Sequence, residues 1–285
     1  MTTRTIRTVC AGLLGAAAMA LWALPVSAGQ DTVDTSLPAL LERLGQYVQR
    51  YERDLSAVVS EEQYEQTVAS QGGLPADTRQ LRSDFLLASA GEAGWVAFRD
   101  VFEVDSAPVS GRTDRLIELF VKPTGDSRQQ VKQIVDASSK YNLGWVNRTI
   151  NVPTMVLQFA RPDQQARSAF RRAGMSEVSV GRVREIRFNE RALPRMIQTP
   201  DNAAATGAFW IDEATGRIVR TELRVSAGST TAVIGVSYAR QPKLDLWLPV
   251  LMNERYSTPR QATITGRAIY RNFRRFDVEV GTIIK

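Results

Sequence analysis

The chain has 285 residues, with 36 basic against 30 acidic, a net charge of +6, one Cys and no His. A single Cys excludes an intramolecular disulfide framework, and the lack of His removes the commonest general base and transition-metal ligand. The length suffices for a full core, as one large domain or two small ones.

The opening segment, MTTRTIRTVCAGLLGAAAMALWALPVSAGQ, sets Arg4 and Arg7 before an apolar run that ends at Val26-Ser27-Ala28. A charged start, an apolar stretch and small residues at a cut site are the layout of a cleavable secretory signal. An uncleaved anchor is the alternative, because the run just reaches spanning length. Cys10 precedes the body of the apolar run, so it is not placed to carry a lipid. The expected organisation is residues 1–28 as signal peptide and 29–285 as a single α+β domain, secreted and periplasmic. Cleavage would leave a cysteine-free chain with no thiol nucleophile, no zinc–thiolate site and no stable transmembrane insertion.

TSLPALLERLGQYVQRYERDL places Leu37, Leu41, Leu44, Val48, Tyr51 and Leu55 at spacings of three and four, predicting an amphipathic helix opened by Thr35 or Ser36. LSAVVSEEQYEQTVA and RQLRSDFLLASA read as strands across a Gly-Gly-Leu-Pro loop, and GWVAFRDVFEVDSAPV continues the meander. Asp100 interrupts the apolar face of that third strand, so it lies at an edge or is paired. TDRLIELFVKP and DSRQQVKQIVDASSKYNLG predict helices, and NVPTMVLQFARP a short one between two prolines. ARSAFRRAG leans toward strand. From Ser176 onward turn signals recur between alternating runs, as an antiparallel series requires.

Within that series FWIDEATGRIVRTEL poses a specific question, whether Asp212-Glu213 is an acidic site or a hairpin corner. With Ala214-Thr215-Gly216 as a three-residue loop ending in a left-handed Gly, Glu213 faces Arg217. Ile211 then lies opposite Val219, Phe209 opposite Thr221 and Gly207 opposite Leu223, with Trp210 against Arg220 on the other face. A calcium loop needs alternating oxygen ligands and a distal Glu, which DEATGR lacks, so the hairpin is the expectation.

Carboxylate chemistry without His has its candidates in Glu61, Glu62 and Glu65, in Asp100, Glu103 and Asp105, and in Glu185 with Glu190. Charged pairs at strand ends are more often solvated, and Glu103 and Asp105 would share one face. SSK, Ser138 to Lys140, reads as a polar helical face. Arg greatly outnumbers Lys, and YRNFRRF interleaves basic and aromatic residues. An exported chain with acids among its basic segments is nevertheless expected to bind no nucleic acid. No nucleotide loop, nucleophile elbow or metalloprotease motif occurs, so no cofactor and no metal are expected.

The layout of one N-terminal amphipathic helix, a meander, a few central helices and a closing antiparallel series is similar to that of the LolA/LolB-like periplasmic carriers and the related sensor RseB. FWIDEATGRIVRTELRV, VIGVSYAR and LWLPVLMNERY also resemble segments of secreted bacterial proteins linked with that fold. The resemblance implies a curved antiparallel sheet, a half-barrel, wrapping helices, with acyl chains held between them. The function expected from it is non-enzymatic binding of an apolar or amphipathic ligand, a lipid or lipoprotein acyl chain. Phe209, Ile211, Val219 and Leu223 are the candidate lining, with plain core packing as their other reading. The alternatives are an envelope interaction or sensor module with an anionic or protein partner, and a carboxylate-dependent hydrolase.

Overall fold

In the computed structural model, the described residues are 33–55, 58–69, 75–89, 95–111, 127–178, 181–259 and 261–275. The expected signal segment and the helix expected over 113–123 lie outside them.

Eleven strands form one antiparallel sheet: β1 Val58–Ala69, β2 Pro75–Ser89, β3 Trp95–Val104, β4 Ala107–Pro108, β5 Ser168–Val178, β6 Gly181–Glu190, β7 Ala205–Ile211, β8 Ile218–Ala227, β9 Thr230–Gln241, β10 Leu246–Ser257 and β11 Thr263–Arg275. Their spatial order, β4-β3-β2-β1-β11-β10-β9-β8-β7-β6-β5, joins two meanders through a single long-range pairing of β1 with β11. Among the described residues β4 and β5 are the two edges, and the sheet is open and not closed into a barrel. Tyr270 to Arg275 of YRNFRRF are thus part of β11, the strand at the seam between the meanders, with Tyr270 buried; Phe276 lies outside the described residues.

Alternation assigns the two faces. On β8, Thr221, Leu223 and Val225 are buried, while Arg220 and Arg224 are exposed. On β1 the buried set from Glu62 onward is Glu62, Tyr64 and Gln66, so one inner face carries apolar side chains in one place and polar ones in another.

The helix α1, Leu37–Leu55, follows Ser36, whose carbonyl accepts from the Leu40 N–H at 3.0 Å. Its stripe of Leu40, Leu44, Val48, Tyr51 and Leu55 is buried in the main core, each fully buried aliphatic contributing about 1.5–3 kcal/mol. α2, Ser127–Ser139, buries Ile134 against Phe98 of β3. The segment between the two prolines is a 3-10 helix, Met155–Ala160, with Val156, Leu157, Phe159 and Ala160 buried. Among the described residues no helix is long and apolar enough to cross a membrane.

Local expectations change at three places here and at the hairpin corner described below. A bulge between Trp210 and Ile211 places Ile211 opposite Ile218, leaving Val219 as the extra residue on β8, although Phe209 still opposes Thr221 and Gly207 still opposes Leu223. Asp105 does not share a strand face with Glu103; it sits beyond β3 in a turn at φ +48°, accepting from the Gln80 N–H at 2.7 Å. Ser138 is buried, not solvated, and its Oγ accepts from the Arg99 N–H at 3.0 Å.

Candidate functional site

The inner face of the sheet has an apolar part and a polar part. The apolar part lies over β6 to β9, where Phe188, Phe209, Leu223, Ile234 and Val236 join α1 and the 3-10 helix in one core. Phe188 stacks on Phe159 with ring centroids 4.6 Å apart and tilts against Phe209 at 5.5 Å. The four residues proposed to line a ligand space are here: Phe209 and Ile211 are 0% exposed, Leu223 2% and Val219 5%. Phe209, Ile211 and Leu223 belong to the main core cluster, whereas Val219 lies outside it.

The hairpin corner fastens α1 to this surface. Asp212 pairs with Arg217 through its N–H, 2.9 Å from the Arg217 carbonyl, and its own carbonyl accepts from Gly216 at 2.9 Å. The closing pair is therefore Asp212 with Arg217, not Glu213 with Arg217. Asp212 Oδ1 accepts from Thr215 N at 2.9 Å and from Thr215 Oγ1 at 2.7 Å. Partial burial pushes this carboxyl up, but the Thr215 hydrogen bonds and the Arg217 charge outweigh it and hold the group below its usual value. Glu213 is taken by Arg184 Nε at 2.7 Å, and Arg217 lies over the Trp247 ring at 4.5 Å. Gly216 stands at φ +71°, and a side chain there would collide with the backbone of Arg43 and Leu44 in α1. The acidic pair is thus a corner against which the helix backbone rests.

The polar part lies over β1, β10 and β11, beneath residues 141–152. Arg99 from β3 donates through Nε to Glu62 and through Nη2 to the same carboxylate at 2.9 Å, with its guanidinium 4.6 Å from the centre of the Tyr64 ring. Burial opposes its charge, but the Glu62 carboxylate keeps the Arg99 guanidinium protonated, above its ordinary value. Arg148 donates to Glu254 of β10, to Gln66 of β1, to Tyr64 Oη at 2.9 Å and to the Leu143 carbonyl at 2.9 Å. Tyr64 donates to Glu254, and Tyr256 Oη donates to Glu254 Oε2 at 3.1 Å. Asn151 links the two ion pairs: its carbonyl accepts from Arg99 Nη2 at 3.2 Å and its Nδ2 donates to Tyr64 Oη at 3.1 Å. Both pairs have side chains no more than 1% exposed. Burial pushes Tyr64, Tyr256 and Tyr270 above the usual phenol value, with the Glu254 charge adding to it at Tyr64 and Tyr256. Gly266 leaves the room for this cluster, since a side chain there would collide with Glu254 and Tyr64.

The other carboxylate candidates are dispersed. Glu61 accepts from Arg82 at 2.9 Å and Asn272 at 2.9 Å, and Glu103 from Arg82 at 3.2 Å. Glu65 is exposed on the outer face, and Asp100 is buried. Glu185 holds Arg187. Glu190 is buried and accepts from the Met196 and Ala205 N–H groups at 2.7 and 3.1 Å, which anchors the loop between β6 and β7. Among the described residues no three His, Cys, Asp or Glu gather where they could hold a metal ion.

Of the polar cluster, only Glu62 was marked by the sequence, as one of three neighbouring acids. Arg99, Arg148 and Glu254 were missed because each stands alone among apolar or polar neighbours in sequence. The usable signal was on β1, where Glu62, Tyr64 and Gln66 share the parity of the buried Val58 and Ser60.

No protein-family model and no curated protein matches this chain. Its structure is similar to that of a DUF1329 family protein from Desulfovibrio piger, at 11% identity and TM-score 0.38 over 84% of this chain and 94% of that one. It is also similar to an outer membrane lipoprotein-sorting protein domain from Vibrio parahaemolyticus, at 11% identity and TM-score 0.34 over 86% and 95%. A LolA superfamily protein from Nitrosomonas europaea aligns at 9% identity and TM-score 0.36 over 87% and 97%. The group named by the sequence resemblance therefore recurs among the structural neighbours.

Proposed function

We propose that this chain is a non-enzymatic binding protein of the cell envelope, exported with cleavage after Ala28, whose ligand is apolar or amphipathic: a lipid or the acyl chain of a lipoprotein. The observation that carries the reading is the surface between α1 and β6 to β9. There an aromatic and aliphatic sheet face, Phe188, Phe209, Ile211 and Leu223 among it, shares one core with α1 and the 3-10 helix, and the opposite side of α1 is charged, with Arg50 and Arg53 exposed. The polar ties of that helix and the residues leading into it include three to the segments around it. Gln165 Nε2 donates to the Leu41 carbonyl at 2.9 Å, Arg172 to the Thr35 carbonyl at 2.8 Å, and Glu52 pairs with Arg161 at 3.3 Å. A displacement of α1 would exchange helix–sheet contacts for contacts with an acyl chain of the same chemistry, at little net cost in buried apolar area. Phe209, Ile211, Val219 and Leu223 would then line the ligand.

Native mass spectrometry of protein purified from its own envelope should show bound lipid, and a fluorescent fatty acid should be taken up and competed by it. Repeated recovery of lipid-free protein, together with no uptake, would sink the reading. N-terminal sequencing of the secreted protein should begin at Gly29; retention of Met1 in a membrane fraction would replace cleavage with an anchor.

A further inference from the structure

We infer that the outer face of the sheet is a binding track for a linear acidic polysaccharide. This goes beyond the lipid reading and does not depend on it.

The strand registers lay Asn189, Thr206, Arg224, Val233, Arg255 and Thr265 in one row, each the direct cross-strand partner of the next from β6 to β11. Thr67 and Thr78 continue the row onto β1 and β2. In this row every hydrogen-bonding side chain is a hydroxyl, an amide or a guanidinium, and no acid occurs. Two open grooves run along it: one of about 720 Å³ that includes Asn189, Thr206 and Arg224, and one of about 660 Å³ that includes Arg224, Val233 and Arg255.

The charge is unbalanced in favour of an anion. Glu185 and Glu222 are the carboxylates of the outer face in these grooves, held by Arg187 and, at 3.9 Å, by Arg224. Arg171, Arg220 and Arg255 also line the grooves, and among the described residues none has a carboxylate within 4.0 Å. Arg220 is carried on the Trp210 ring at 4.7 Å, which orients its guanidinium without neutralising it.

The occupant follows from this mixture. Guanidinium groups recognise carboxylates in a two-pronged geometry, and neutral hydroxyls and amides suit sugar hydroxyls. Arg224 and Arg255 stand two strands apart, about 9.5 Å from adjacent-strand spacing, the length scale of one disaccharide repeat. A bilayer would need apolar side chains to insert, and the large hydrophobic residues exposed among those described, Val33 and Leu193, are not on the row. Base stacking is disfavoured too, since Trp210 is already under Arg220.

The test is titration of the full-length secreted protein with fluorescein-labelled oligogalacturonate, a linear uronate chain, with neutral dextran of equal length as control. Expected is saturable uronate binding that weakens steeply with salt, and none to dextran. The double variant R224A/R255A should lose at least about tenfold in affinity, while R50A/R240A, equal in charge and off the row, should change less than about twofold. All four side chains are exposed, and matching thermal midpoints would confirm folded protein. Absence of saturable uronate binding by the wild type overturns the inference, as does equal loss in both double variants. Tighter capture of phosphatidylglycerol vesicles or of a DNA oligomer than of the uronate also overturns it, in favour of a lipid surface or general cation exchange.

Discussion

Over β6 to β9 the sheet's Phe188, Phe209, Leu223 and Val236 share one core with α1 and the 3-10 helix, whereas over β1, β10 and β11 it meets residues 141–152 through Tyr64, Gln66 and Glu254. The covering element differs accordingly. A regular helix has satisfied its own backbone and needs only an apolar stripe to dock, a contact that is non-directional and tolerant of small shifts. Residues 141–152 form neither helix nor strand, so their groups must be met one by one. Gln66 accepts from Leu143 N at 2.9 Å, Arg148 donates to the Leu143 carbonyl, and Asn142 donates to the Arg148 carbonyl at 2.9 Å. The polar half thereby fixes the position of an irregular segment, while the apolar half holds a regular helix by its apolar stripe.

Substitution of Arg148 by Ala should have the largest effect. It strips Glu254 and Gln66 of a buried partner and should cost about 3–5 kcal/mol in urea unfolding. The paired replacement R148M/E254L should recover most of that loss; a single variant no worse than a surface change would dissolve the contrast between the halves. On the apolar side, Leu44→Ala should cost about 3 kcal/mol from lost burial and the cavity left behind. It should also increase fatty-acid uptake if α1 is the exchangeable cover, a gain that R148A should not show.

Gly216→Ala tests the fastening between the two elements of the apolar half. Its left-handed backbone and the contact with the α1 backbone predict a loss of about 2 kcal/mol, and the Tm shift in calorimetry reads it. Asp212→Asn should cost less, under about 1 kcal/mol for a group about a third exposed. The folded carboxyl titrates below its unfolded value, so its stabilisation is full above the ordinary aspartate range and is lost as pH falls through the folded value. The gap between wild type and D212N should therefore be present at neutral pH and close in acid, and a gap that widened in acid would contradict the assignment. Smallest is the Arg220–Trp210 pair on the outer face, for which a double-mutant cycle should return about 0.5 kcal/mol.

The apolar half was largely legible from residue order. The α1 stripe, the strands of the closing series, the Phe209–Thr221 and Gly207–Leu223 pairs and the left-handed Gly216 all follow from periods of 3.6 and 2 and from the one residue free to adopt positive φ. The register failed by one place at Ile211, because a bulge changes which residues meet without altering the alternation that announces a strand. The polar half was legible only as a run of acids on β1. The partner of Glu62 is 37 residues away and that of Glu254 is 106 away, and no local pattern marks either Arg.

The sequence by itself determined an antiparallel α+β chain opened by an amphipathic helix, and the hairpin that turns at Gly216, because those features arise from neighbours along the chain. The tertiary structure alone decided that Glu62 and Glu254 are buried against Arg99 and Arg148, and that Arg224 and Arg255 lie in one row. The row depends on the pairing of β8 with β9 and of β9 with β10, whereas the approach of Glu254 to Tyr64 and Gln66 depends on that of β1 with β11, which brings together residues about 200 positions apart. Side-chain chemistry is fixed by the residue, but its charge environment is fixed by what the fold places opposite it.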